Sequence, residues 1–195
     1  MLKPNTLYLY QLNIKNLPQT PPCKLTLFET NKLSRLPKHK QSTYQQMRFM
    51  IRHILAQHHI SNTDFHITES GQPKLLAGKS ISLSHSQDIW LIGVMAANSL
   101  GIDIQLTQPQ NLPALLKRFN LTETLSAETF LSYWTLVEAY CKCTQSPILS
   151  TMKTPIETQL SQNNLYHISQ SLPQAFSAVS TSPIEDIIYL DEKNL

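Results

Sequence analysis

Residues 101–105, Gly-Ile-Asp-Ile-Gln, alternate apolar and polar side chains, a period of two that only a strand with one buried face can use. Ile102 and Ile104 then share one face, while Asp103 and Gln105 share the other. Further along, Trp134-Thr135-Leu136-Val137-Glu138-Ala139-Tyr140-Cys141-Lys142 reads as helix, with Glu138 and Lys142 one turn apart on one face. A strand carboxylate, a helix carboxylate and a helix ammonium can therefore converge. That combination suits magnesium-assisted chemistry on a phosphate ester or anhydride.

The chain has 195 residues, enough for one good core or two small halves. Hydrophobic residues at 41% and charged ones at 15% fit a globular protein rather than a disordered one. No apolar run is long enough to span a bilayer, so no membrane partner is expected. Met1-Leu2-Lys3-Pro4 leads straight into the alternating Leu7-Tyr8-Leu9-Tyr10, with no signal-peptide core. Three cysteines cannot all pair within the chain, and Cys141 and Cys143 face different ways on a helix, which excludes a zinc knuckle. A reduced, cytoplasmic protein is expected. The net charge of +3 is too mild to imply nucleic acid. Lys32, Arg35, Lys38 and Lys40, with His39, nonetheless form a local basic cluster. It reads either as a solvated loop and helix start or as a landing strip for an anionic ligand. No glycine-aromatic RNA-binding signature accompanies it, so no nucleic-acid partner is expected.

Residues 6–14 have strand alternation, and 18–22, bounded by two prolines, form a turn-rich connector. Met47, Ile51, Ile54 and Leu55 recur at helical spacing over 42–58, with Arg48 and Arg52 on the polar flank. Strands follow at 64–68, 81–84 and 89–96, and Asn98-Ser99 predicts a tight turn making a hairpin with the Gly101 strand. The second half predicts helices over 112–119 and 127–143, then strands near 165–169, 175–180 and 186–190. Each half thus holds one substantial helix and about three strands, an α+β arrangement. The division falls at 1–98 and 99–195.

An aspartate on a strand is more often structural than a ligand, and Glu138 before Lys142 is the ordinary stabilising pair of about 0.2–0.5 kcal/mol. Their order with two other motifs is what counts: Gly71-Gln72-Pro73, then Ile81-Ser82-Leu83-Ser84-His85-Ser86, then Gly-Ile-Asp-Ile, then Trp-Thr-X-X-Glu-Ala-X-X-Lys. This set, from about residue 35 to 143, resembles the 4′-phosphopantetheinyl transferase superfamily, specifically its Sfp-type branch of two-lobed monomers. The resemblance implies two similar α+β lobes in a pseudo-twofold arrangement. It implies transfer of phosphopantetheine from coenzyme A to a serine of an apo acyl or peptidyl carrier protein, releasing 3′,5′-ADP. Fatty acid, polyketide, nonribosomal peptide and lysine pathways all use such carriers.

By that resemblance, Asp103 and Glu138, assisted by Gln105, hold Mg2+, Glu138 accepts the serine proton, and Lys142 stands against the pyrophosphate. Ser84, His85, Gln72 and Pro73 match residues contacting coenzyme A, and Lys32, Arg35 and Lys38 match loosely those meeting its 3′-phosphate. A Ser-His hydrolase dyad is excluded, because strand neighbours point to opposite faces. Lys117, Arg118 and Phe119 fall where the family meets its acidic carrier. The N-terminal lobe would hold coenzyme A phosphates and the C-terminal lobe the metal and catalytic helix. Three ionic groups of the family pattern are neutral here: Gln72 stands for lysine, Gln105 for glutamate and Val137 for lysine. Weaker metal binding is the consequence, and a non-catalytic relative that binds coenzyme A or a carrier is the alternative reading.

Overall fold

A computed structural model describes residues 1–17, 23–68, 71–119, 121, 125–170 and 174–194, so the expected connector at 18–22 lies outside the described residues. In chain order the elements are β1 (Thr6–Asn13), α1 (Leu27–Arg35), α2 (Lys38–Gln57), β2 (Phe65–Ile67), β3 (Pro73–Leu75), β4 (Ser80–Ser86), β5 (Ile89–Met95) and β6 (Leu100–Gln105). Then follow α3 (Leu112–Arg118), α4 (Ala127–Thr144), α5 (Ile148–Thr151), α6 (Ile156–Gln162), β7 (Tyr166–Gln170), β8 (Ala175–Ser180) and β9 (Asp186–Asp191). The fold is α+β, as expected.

Strand β1 explains the layering. Its residues are almost all buried, because alternate side chains enter two different cores. Tyr8, Tyr10 and Leu12 meet Met47, Met50, Ile51, Ile54 and Leu55 of α2. Leu7 and Leu9 meet Ile102 and Ile104 of β6 and Phe176 and Ala178 of β8. A third core joins Val137, Ala139, Tyr140 and Cys143 of α4 to Val179 of β8 and to Ile156 and Leu160 of α6. Two sheets thus lie face to face between α2 and α4.

The first sheet has the order β4-β5-β1-β9, and the second β6-β8-β7. Two expectations are corrected here. The hairpin through Asn98-Ser99 does not form: β5 pairs with β1 and β4, while β6 pairs with β8. The chain steps between sheets there, so that Ile102 packs onto Gly93 of β5, where an added Cβ would stand 3.1 Å from it. Strand β9, expected with the second half, runs parallel to β1 in the first sheet, with Tyr8 opposite Ile188. Strand β9 thus completes a sheet whose other three strands all precede residue 98.

The polar flank expected of α2 is also different. Arg48 is buried, and Arg48 and Arg52 turn toward Glu29 of α1, with Arg52 Nη2 2.5 Å from Glu29 Oε2 and Arg48 Nε 3.6 Å from Oε1. Glu29 also closes a capping box with Thr26, so one carboxylate starts α1 and ties it to α2. Its pKa is held low by the Arg52 hydrogen bond and the Thr26 backbone, against the opposing effect of burial.

At the other end of α2, His58 is buried edge-on to Tyr8, with its Nε2 2.8 Å from the Tyr10 hydroxyl. Burial lowers its pKa from 6.5 to about 4. The unfolded chain therefore binds more protons between those values, and stability falls as pH drops through that window. We expect an acid-side slope of at most about 1.4 kcal/mol per pH unit from this residue. Urea midpoints measured from pH 7 to pH 4 should show that slope diminished in a His58→Gln variant.

Candidate active site

The site forms where β6 crosses α4, and Gly101 permits the crossing. A Cβ on Gly101 would overlap the Ala139 carbonyl oxygen and stand 2.6 Å from the Cys143 nitrogen. No other residue type allows two backbones this close. Two residues along the same face of β6, Asp103 then meets Lys142, which lies within the same turn of α4. Its Oδ1 accepts from Lys142 Nζ at 2.7 Å, and Lys142 donates to the Ile102 carbonyl at 3.0 Å. Glu138 Oε2 stands 3.9 Å from the same ammonium.

Strand β4 supplies the opposite wall. The hydroxyls of Ser82, Ser84 and Ser86 accept from the backbone N–H groups of Ile102, Ile104 and Leu106, at 3.0, 3.4 and 3.1 Å. Alternate serines thus satisfy the edge of β6 that faces away from β8, and lace the two sheets together. Ser84 Oγ also donates to Asp103 Oδ1 at 2.6 Å. The sequence reading gave Ser84 only a ligand contact; in the fold its hydroxyl orients the aspartate. A two-residue turn with Gln87 at φ 55° sets His85 opposite Trp90, whose ring lies edge-on to it at 4.7 Å.

Asp103, Gln105, Glu138, Lys142, Ser84 and His85 all line one cavity of about 320 Å³, together with Leu83 and Trp90. Gln72 and Pro73 line a second cavity of about 330 Å³, which shares Leu83 and Lys142 with the first. Lys142 thus stands between the two. Lys32, Arg35 and Lys38 are exposed at the end of α1 and the start of α2 and line neither. Val137 is 1% exposed and sits in the α4 core, not at the cavity. Its neutrality therefore removes no charge from the site. Lys117 and Arg118 are exposed on the last turn of α3, and Phe119 packs against Trp134 at 5.4 Å.

Glu138 has a pKa raised from 4.5 to about 7. Burial is the main cause, followed by the charge of Asp103; Lys142 and a hydrogen bond from Trp134 oppose it. Trp134 and Trp90 were not singled out as site residues by sequence. The i,i+4 spacing of Trp134 and Glu138, and the hairpin register pairing His85 with Trp90, are the signals that identify them.

Among the described residues no three His, Cys, Asp or Glu side chains gather as a self-sufficient metal cage. Two carboxylates that repel each other, beside a neutral amide from Gln105, instead fit a hard cation completing its shell with water and phosphate oxygens.

The chain matches no family model. Over 79 residues it is 34% identical to the 4′-phosphopantetheinyl transferase HetI of Nostoc sp. (strain PCC 7120 / SAG 25.82 / UTEX 2576), a match covering 35% of this chain and 33% of that protein. The match thus spans about a third of the length of this curated relative. The similarity supports the phosphopantetheinyl transferase superfamily and a transferase function in general.

Two outcomes are expected. Gly101→Ala forces β6 off α4 and costs more than about 3 kcal/mol, beyond ordinary overpacking; thermal unfolding and soluble yield measure it. Glu138→Gln behaves oppositely. Between pH 4.5 and 7 the folded carboxyl keeps a proton that the unfolded chain loses, so its contribution to stability falls as pH rises. The variant should melt higher than the parent at pH 8, with the difference shrinking toward pH 4.5.

Proposed function

We propose that this protein transfers the 4′-phosphopantetheine group from coenzyme A to a serine of an apo acyl or peptidyl carrier protein, releasing 3′,5′-ADP. The observation that carries the reading is the convergence of Asp103, Glu138 and Lys142 in one cavity walled by Ser84 and His85. The shared wall at Lys142 supports a ligand that runs through both cavities, with its pyrophosphate beside the ammonium and Gln72 and Pro73 along its nucleotide end.

The carrier serine oxygen forms a bond to the β-phosphorus of coenzyme A as the bridging oxygen bond breaks. Its proton passes to Glu138, directly or through a water. Lys142 neutralises charge gathering on the departing phosphate. Asp103, fixed by Ser84, holds Lys142 in position. Asp103 and Glu138, with Gln105 directly or through water, would hold a magnesium ion, which would supply further charge neutralisation at the pyrophosphate. Phe119 packs tilted against Trp134, and Trp134 hydrogen-bonds Glu138, so a carrier docked at Lys117, Arg118 and Phe119 would lie one aromatic layer from the base.

Two neutral residues, Gln72 and Gln105, favour the second reading, in which coenzyme A or a carrier is bound without transfer. Intact mass spectrometry separates the two. Purified protein with coenzyme A and Mg2+ should add one phosphopantetheine to an apo carrier, and Asp103→Ala should slow this about a hundredfold or more. No mass gain across a panel of acyl and peptidyl carriers, with tight coenzyme A binding by calorimetry, selects the binding-only reading. Reversing charge at Lys117 and Arg118 should raise KM for the carrier several-fold and leave KM for coenzyme A unchanged.

A further inference from the structure

Helix α1 is built inside out. Glu29 is 0% exposed, while its neighbours Leu27 and Phe28 are 78% and 41% exposed. The hydrophobic effect alone favours the reverse. The inversion is held by the Arg52 and Arg48 contacts to Glu29, which fix the roll of the helix about its axis. At 100° per residue, Leu27, Phe28, Asn31, Lys32 and Arg35 then share one outward arc of about 140°.

The charge around this arc is one-sided. Residues 23–53 contain seven Lys and Arg side chains of the sixteen in the chain, and a single acid, Glu29. Arg48 and Arg52 are occupied by that acid. Lys24, Lys32, Arg35, Lys38 and Lys40 are exposed, and none makes an ion pair among the described residues.

We infer that α1 and the start of α2 form a peripheral docking surface for an anionic lipid bilayer. Two apolar tips on one short helix are far too small for a stable protein interface, which needs about 800 Å² from each partner. A bilayer asks only that the apolar tips pass the headgroups while the cations stay among the phosphates. The sequence expectation of no membrane partner rested on the lack of a spanning segment, and peripheral contact requires none.

Co-sedimentation of the full chain with vesicles tests this. Equimolar phosphatidylcholine and phosphatidylglycerol vesicles should retain the protein, and phosphatidylcholine vesicles should not. Leu27→Ser with Phe28→Ser should lower partitioning about tenfold for each side chain. The coenzyme A affinity of that variant should match the parent, and Leu27→Ser alone, at a residue 78% exposed, should lower partitioning while leaving the melting temperature unchanged. Lys32→Gln with Arg35→Gln should lower partitioning about fivefold for each cation lost, and raised salt should also weaken binding of the parent. Equal binding to both vesicles, or undiminished binding by the Leu27 and Phe28 variant, overturns the inference. So does a parent that ignores vesicles but captures an acidic carrier protein through these two side chains.

Discussion

The backbone contact at Gly101 is the constraint on which the rest of the site depends. Strand β6 touches α4 so closely that the Ala139 carbonyl occupies the space where a side chain would begin. That contact fixes strand and helix against each other in both sliding and rotation. With those freedoms gone, a residue two places along the strand must meet a side chain of that same helical turn. The Asp103–Lys142 bond at 2.7 Å is the result. A looser crossing would leave both groups exposed to water, where such a pair contributes little.

The serines of β4 complete the positioning in a different way. Backbone pairing would have joined β4 and β6 into one continuous sheet. Side-chain hydroxyls join them at greater separation, which leaves room for the cavity between Ser84, His85 and Glu138. Asp103 can be buried because its charge is met by Lys142 and a serine hydroxyl, and Lys142 by a backbone carbonyl as well. Glu138 is buried beside the Asp103 charge, which outweighs the help of Lys142 and Trp134, and its raised pKa is the consequence. Stability is thus given up at Glu138, the residue proposed as the base.

Much of this was legible in the residues. Period-two and period-3.6 patterns located β1, β6, α2 and α4, and motif order brought Asp103, Glu138, Lys142 and His85 together. What escaped was long-range. Hairpin logic read Asn98-Ser99 as a turn within one sheet, because local sequence does not record that Ile102 prefers the surface opened by Gly93. Arg48 and Arg52 looked like a solvated flank because their partner, Glu29, lies on another helix. Val137 looked like a missing charge because spacing alone does not say which side of α4 meets β8. Gly101 could be read as a strand start, but its reason for being glycine exists only once α4 is in place.

The parallel pairing of β9 with β1 carries a consequence for how the molecule is made. Strand β1 pairs with β5, which lies within the same half of the sequence, yet its other edge is left without hydrogen-bonding partners until residues 186–191 are in place. Until β9 is in place the first sheet carries a raw edge beside Tyr8 and Tyr10, open to pairing with another chain. Loop closure over nearly the whole sequence must precede its protection, which slows completion of the fold. The last strand therefore acts less as part of either half than as a clasp, and the interval before it closes is when this chain is most exposed to misassembly.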